Sequence, residues 1–122
     1  MALEDYKVNV LVRTKEFALA VISLISKFPK NNQTFEVISK QLLRSATSIG
    51  ANLVEAQASS SRRDFKNFIG YALKSANETV YWLELLRDSG KVKGAWLDEV
   101  IREAQELAKI LGASMLKLKQ KG

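Results

Sequence analysis

The chain has no cysteine and no histidine. Without cysteine there are no disulfides, no thiol nucleophile and no thiolate metal site, and nothing points to an oxidising compartment. Without histidine, Ser-His and Cys-His nucleophile pairs cannot be assembled, nor can zinc or di-iron sites that rely on imidazole. Residue types alone leave open a carboxylate-only Mg²⁺ site or a lysine-based mechanism. Neither has a motif here: there is no Gly-rich phosphate loop and no acidic pair followed by a turn. The expectation is a protein that is not an enzyme and holds no metal or cofactor. Long apolar runs are missing too, since none approaches the ~20 residues of a membrane span. The first residues, Met1-Ala2-Leu3-Glu4-Asp5, are acidic and lack a signal peptide's basic and apolar regions. A cytoplasmic location, with no membrane partner, is therefore expected.

Proline is nearly absent, and the single one, Pro29, marks a helix end. Gly90 and Gly94 flank a second break, and Ser59-Ser60-Ser61 a third. The four segments between them carry apolar residues at alternating spacings of three and four, with no β-alternation. Helix 1, about residues 5–28, has the stripe Val10, Thr14, Phe17, Val21, Leu24 and Phe28, widened by Leu11, Ala18, Ile22 and Ile25. Helix 2, about 35–58, follows a cap at Asn32 or Thr34 and carries Ile38, Leu42, Ser45, Ile49, Asn52 and Ala56. Helix 3 opens on the Ser-x-x-Asp pattern of Ser61 and Asp64 and runs through Phe65, Ile69, Ala72, Ala76, Thr79, Leu83 and Leu86 to a stop at Gly90. Helix 4, about 95–120, carries Leu97, Val100, Ala104, Leu107, Leu111, Ser114 and Leu118, with Asp98 and Glu99 in its first turn. Short loops between helices of similar length predict an all-α, antiparallel up-down-up-down four-helix bundle. The 122 residues form one domain, 1–122, large enough to bury about two thirds of the unfolded surface.

Some residues exceed what one bundle needs. Helix 3 has a second apolar row, Phe68, Tyr71, Ser75, Trp82 and Leu85, and the adjacent Tyr81 and Trp82 cannot share one narrow seam. Helix 1 is similarly broad at Val8, Val10, Leu11 and Val12. A bundle uses one stripe per helix, and large aromatics are favoured at contact surfaces. Phe68, Tyr71, Tyr81, Trp82 and Leu85 are thus candidates for a self-association interface, the alternative being a wide stripe that only fills the core. Gly50, Gly70 and Gly112 each cost about 1 kcal/mol relative to Ala inside a helix, which suggests close approach of a neighbour. Ser45, Asn52 and Ser75 fall on buried stripes and need partners, and Asn52 is expected to hydrogen-bond across helices. Asn52, Glu55 and Glu78 lack a neighbouring His and are read as structural, not as ligands.

The block at residues 41–55, Gln-Leu-Leu-Arg-Ser-Ala-Thr-Ser-Ile-Gly-Ala-Asn-Leu-Val-Glu, places small and polar residues where large apolar ones are usual. It resembles the signature of the four-helix-bundle family associated with 23S rRNA intervening sequences, whose fold is shared by the accessory variability determinants of diversity-generating retroelements. Phe28-Pro29, Asp64-Phe65, Phe68, Ala72, Ser75-Ala76, Glu78 and Tyr81-Trp82-Leu83-Glu84-Leu85-Leu86 extend the resemblance over about residues 7–109. The family's motif continues Glu-Gly, whereas Glu55 is followed here by Ala56, which puts the form of the helix 2 terminus in question. The resemblance implies a homopentameric barrel and supplies no catalytic residues. For its retroelement members it implies basic nucleic-acid-binding partners of a reverse transcriptase, a branch to which nothing in these residues assigns the chain.

The net charge of +6, with a pI near 9.7, attracts polyanions through counterion release, although it also suits the solubility of a small domain. In an antiparallel bundle the chain start, the helix 2–3 connection and the chain end share one end. Residues 1–7, 55–66 and 115–122 hold seven basic against four acidic residues, a net +3, while the other end balances to zero. Arg62, Arg63, Lys66, Lys117, Lys119 and Lys121 are the candidate nucleic-acid contacts. Arg62 and Arg63 lead because the positive N-terminus of helix 3 disfavours cations, whereas the tail lysines also suit a helix C-terminus. No base-reading module is present, so binding would be sequence-independent and salt-sensitive. The reading is an oligomeric, non-enzymatic bundle that binds RNA or DNA backbone through a basic rim, with a role as accessory to a nucleic-acid-handling enzyme as a further expectation. The alternative is a structural or adaptor protein whose partner is another protein.

Overall fold

The structure, a computed structural model, describes the backbone of residues 3–120 and the side chains of residues 9–120. The expected side-chain roles of Lys7, Val8 and Lys121 lie outside these described residues. Four helices follow one another: α1 (Leu3–Ser26), α2 (Gln33–Ala58), α3 (Arg62–Asp88) and α4 (Ala95–Gln120). Each packs on its neighbours in sequence, and α1 closes on α4, leaving α1 and α3 on one diagonal and α2 and α4 on the other. This is the expected four-helix bundle.

Local signals account for the helix ends. Asn32 caps α2, its side-chain oxygen accepting from the Phe35 N–H at 3.2 Å. Ser61 caps α3 by accepting from the Asp64 N–H at 3.1 Å, satisfying a donor the first turn leaves orphaned. Gly90, at φ 73°, donates to the Arg87 carbonyl at 3.1 Å and turns the chain after α3. Helix 1 stops two residues earlier than the periodicity predicts. Its last carbonyls are met by tight turns, with Lys27 N–H on Leu24 O and Phe28 N–H on Ile25 O, and Pro29 follows.

The core is the sum of the four stripes. Val10, Thr14, Phe17, Val21, Leu24 and Phe28 of the first segment are all buried, as are Leu42, Ile49, Leu83, Leu86, Leu107 and Leu111. Each such aliphatic side chain contributes about 1.5–3 kcal/mol on leaving water. Ile22, expected to widen the α1 stripe, is instead exposed, because it lies past the α2-facing edge of that stripe. Ala56 is buried, and α2 continues through it to Ala58 before the Ser59 N–H closes on the Ala56 carbonyl. At the opposite end of the bundle, Phe28 and Phe35 stack at 5.3 Å and Lys27 Nζ sits 3.4 Å from the Trp96 ring centroid.

The three helical glycines differ. A Cβ on Gly50 would lie 3.1 Å from Thr14 Oγ1 of α1, so this glycine does admit a close neighbour. Gly112 has nothing within 4 Å of its Cβ position, and at Gly70 only the Met115 side chain comes near, at an ordinary 3.7 Å. The close approach expected at Gly70 and Gly112 is absent because both lie on the outward side of the α3–α4 seam.

Candidate functional site

The polar residues of α2 and α3 form one seam. Thr79 Oγ1 is 3.0 Å from Ser45 Oγ across the helix pair, and each hydroxyl, with one hydrogen to give, also has a carbonyl of its own helix in reach, Ser75 O for Thr79 at 2.7 Å and Leu42 O for Ser45 at 3.2 Å. Asn52 does not bridge helices as expected. It sits half-buried at the seam's margin, where its amide donates to Ser48 O of its own helix at 2.8 Å. Glu78 accepts from Arg44 of α2 and, at 3.1 Å, from the Trp82 indole N–H. Arg44 also reaches the Gln41 side chain. Among the described residues no buried side-chain polar atom lacks a partner, and no three carboxylates gather into a possible metal site. Glu78 is engaged with Arg44 and Trp82, and Asn52 with its own helix, in line with a structural reading of both.

The Arg44–Glu78–Trp82 contact orients the outer row of α3. Trp82 and Phe68 are half-buried, while Tyr71, Tyr81 and Leu85 are exposed, Tyr81 by 57%. Tyr81 stands edge-on to Trp82 at 5.1 Å, and Phe68 edge-on to Tyr71 at 5.9 Å. All five candidate interface residues thus lie on or beside one solvent-facing ridge. A second apolar surface takes up the breadth expected of helix 1, but joins it to α2, a pairing outside the sequence expectation. Leu11, Val12, Ala18, Thr47, Gly50, Ala51 and Val54 line a groove of about 370 Å³ between α1 and α2, with Val54 58% exposed. Leu19, Ile22 and Leu43 add exposed aliphatic surface to the same two helices. The signal was present in the breadth of helix 1 and the small residues at 47, 50 and 51. What periodicity does not supply is which rows of two helices meet.

Arg62, Arg63, Lys66, Lys117 and Lys119 surround the α3 N-terminus and the α4 C-terminus, as the antiparallel order requires. Arg62 is not an idle cation at a helix N-terminus: its guanidinium donates to the Leu118 carbonyl at 3.2 Å, covering the C-terminal end of α4. Arg63, Lys117 and Lys119 are exposed, and Lys66 is half-buried. Elsewhere Lys40, Arg44 and Arg87 pair with nearby carboxylates. Arg13 forms a forked pair with Glu103, at 2.6 and 3.1 Å, that ties α1 to α4. The Glu103 hydrogen bond, with Coulombic help from Glu103 and Glu106, raises the Arg13 pKa against a smaller desolvation penalty.

Fold and surfaces together define an antiparallel four-helix bundle with a polar α2–α3 seam and separate exposed apolar and basic patches. The model of the 23S rRNA-intervening sequence protein family matches residues 6–113, and the chain belongs to that family. A solved structure of a protein of unknown function from the S23 ribosomal protein family, from Bacteroides thetaiotaomicron, is 41% identical, superposes with a TM-score of 0.80, and is matched over 89% of this chain and 96% of its own. Comparison with curated proteins returned no match.

Proposed function

We propose that this protein is a non-enzymatic, self-associating bundle of the cytoplasm that binds the sugar–phosphate backbone of nucleic acid, as an accessory to a nucleic-acid-handling enzyme such as a reverse transcriptase. The observation that carries this reading is the segregation of surfaces. Apolar residues are exposed along the α1–α2 groove and the α3 ridge, while the cations Arg62, Arg63, Lys66, Lys117 and Lys119 gather where the α3 N-terminus meets the α4 C-terminus. Self-association can then cover the apolar patches without covering the cations. In a closed ring, for which the family resemblance implies five subunits, one basic end repeats around the assembly and builds a field that no monomer has. The lack of histidine and cysteine supports a role without chemistry.

Two measurements test this. Light scattering at micromolar concentration is expected to report a stable oligomer, and a lone subunit would overturn the self-association. Retention of RNA or DNA at low salt is expected to fall in the Arg62→Glu/Arg63→Glu double variant. The exposed groove favours one second reading, a structural adaptor whose partner is purely another protein. Absence of any nucleic-acid retention by the unmodified chain would select it.

A further inference from the structure

Charge in this chain is far more localised than its composition indicates. Residues 62–77 of α3 and 105–120 of α4 contain seven basic and two acidic residues, a net +5 of the chain's total of +6. The two stretches are distant in sequence, yet the antiparallel α3–α4 pairing lays them side by side: Arg62 reaches Leu118 O at one level, and Met115 lies against Gly70 a turn or two further on. Lys66, Gly70 and Lys74 follow one another at four-residue steps on α3; the Met115 contact turns this row toward α4 at Gly70, and the row winds outward by the exposed Lys74, one step before Glu78, which bonds Arg44 of α2. On α4, Lys109, Gly112, Leu116 and Lys119 follow one another at steps of three and four along the solvent-facing side, next to Met115. Lys74, Lys109 and Lys119 are exposed, and among the described residues none of the four lysines forms an ion pair.

The two carboxylates of these stretches point elsewhere. Glu106 acts on Arg13 and so lies toward α1. Asp64 is in the first turn of α3, where the helix N-terminus favours it. The aromatic residues Phe68 and Tyr71 pack edge-on to each other on the side that continues through Glu78 to Arg44 of α2. The nearest carboxylates along each helix are Glu78, four residues after Lys74 and engaged by Arg44 and Trp82, and Glu106, three residues before Lys109; among the described residues none is paired with a lysine of this face.

We infer that the α3–α4 face, and not only the helix ends, is a lateral track for the phosphate backbone of nucleic acid, with Lys66, Lys74, Lys109 and Lys119 as its phosphate contacts. The inference rests on the nucleic-acid reading above and names where the strand runs. From Arg63 to Lys74 the track is about 16 Å long at 1.5 Å per residue. At ~3.4 Å per phosphate along one strand of a duplex, that length spans about five phosphates. The exposed Tyr81, seven residues beyond Lys74, follows the same face past the end of the track; within the track contacts are to backbone and carry no base sequence. The apolar groove and ridge lie on the α1–α2 and α2–α3 sides, so a strand on the α3–α4 face runs along the outside of an assembly built through them.

The decisive variant is Lys74→Gln/Lys109→Gln, because these two residues belong to the face and not to the helix ends. Binding of labelled single-stranded RNA, single-stranded DNA and duplex DNA is measured by fluorescence anisotropy between about 50 and 200 mM salt. The unmodified chain is expected to bind with a steep salt dependence. In the variant, affinity is expected to fall about tenfold at the lowest salt. The slope of log K against log salt should become shallower by about 1.5, at ~0.7–0.9 per lost phosphate contact. A variant that only unfolds is identified by circular dichroism, and the single Lys74→Gln and Lys109→Gln chains then carry the measurement, each expected to lose about half of that slope. Unchanged affinity and slope in these variants, with binding lost in Arg62→Glu/Arg63→Glu, would overturn the lateral track while leaving the helix-end reading intact. No binding by the unmodified chain would overturn both.

Discussion

The α2–α3 pair and the α1–α4 pair sit in the same bundle and are joined by different means. Between α2 and α3, small residues such as Ser45, Ala72, Ala76 and Thr79 are fully buried, and the pairing is the most extensive in the molecule. The Ser45–Thr79 hydrogen bond and the Arg44–Glu78 contact set its register. Between α1 and α4 the contact is the thinnest of the four, spanned by a half-exposed Arg13–Glu103 pair and by Lys27 over Trp96. Small side chains let helices approach, and hydroxyls buried by that approach must then pair. Where helices stand further apart, long charged side chains cross the gap in contact with water and contribute less. Helix α1 is thus anchored mainly through its other side, where Thr14 fills the space over Gly50.

The largest effect is expected at that anchor. Gly50→Leu places a large side chain where a Cβ alone would already meet Thr14 Oγ1 at 3.1 Å. Overpacking of this kind should cost about 3 kcal/mol, and thermal melts by circular dichroism should show a large fall in Tm. An unchanged melt would mean that α1 is not held there. A smaller loss, about 1 kcal/mol, is expected for Thr79→Val, which keeps the shape but removes the hydroxyl that meets Ser45 across the helix pair. Ser45 retains its bond to Leu42 O in that variant, so urea titration should show a lower midpoint with an unchanged m-value. Gly112→Ala reverses the sign. Its Cβ meets nothing within 4 Å, so the gain in helix propensity should raise stability by about 0.5–1 kcal/mol. The smallest effect belongs to the α1–α4 side: a double-mutant cycle on Arg13→Ala and Glu103→Ala should give a coupling of about 0.5 kcal/mol that shrinks with added salt.

How much of this was legible in the sequence varies with the distance over which each feature is determined. The inward stripe of each helix and the Asn32 and Ser61 caps follow from spacing within one helix, and they stand in the structure nearly residue for residue. Asn52 was misassigned because its distance from the seam depends on how α2 is rotated against α3, a quantity its own helix does not contain. The same holds for Gly70 and Gly112, whose cost was visible but whose surroundings were not. Of the candidate surfaces, the α3 aromatic row was readable from its spacing. The α1–α2 groove was not, since it takes two helices to make one.

The amino-acid order by itself determined four amphipathic helices, their ends, their antiparallel sequence and the absence of imidazole and thiol chemistry. These are local consequences of 3.6-residue periodicity and of residue type. Only the tertiary structure decided which rows meet: Thr14 over Gly50, Ser45 on Thr79, and the lysines of α3 beside those of α4. That choice depends on the relative rotation and register of packed helices, set by all side chains of the core together, and no single segment encodes it.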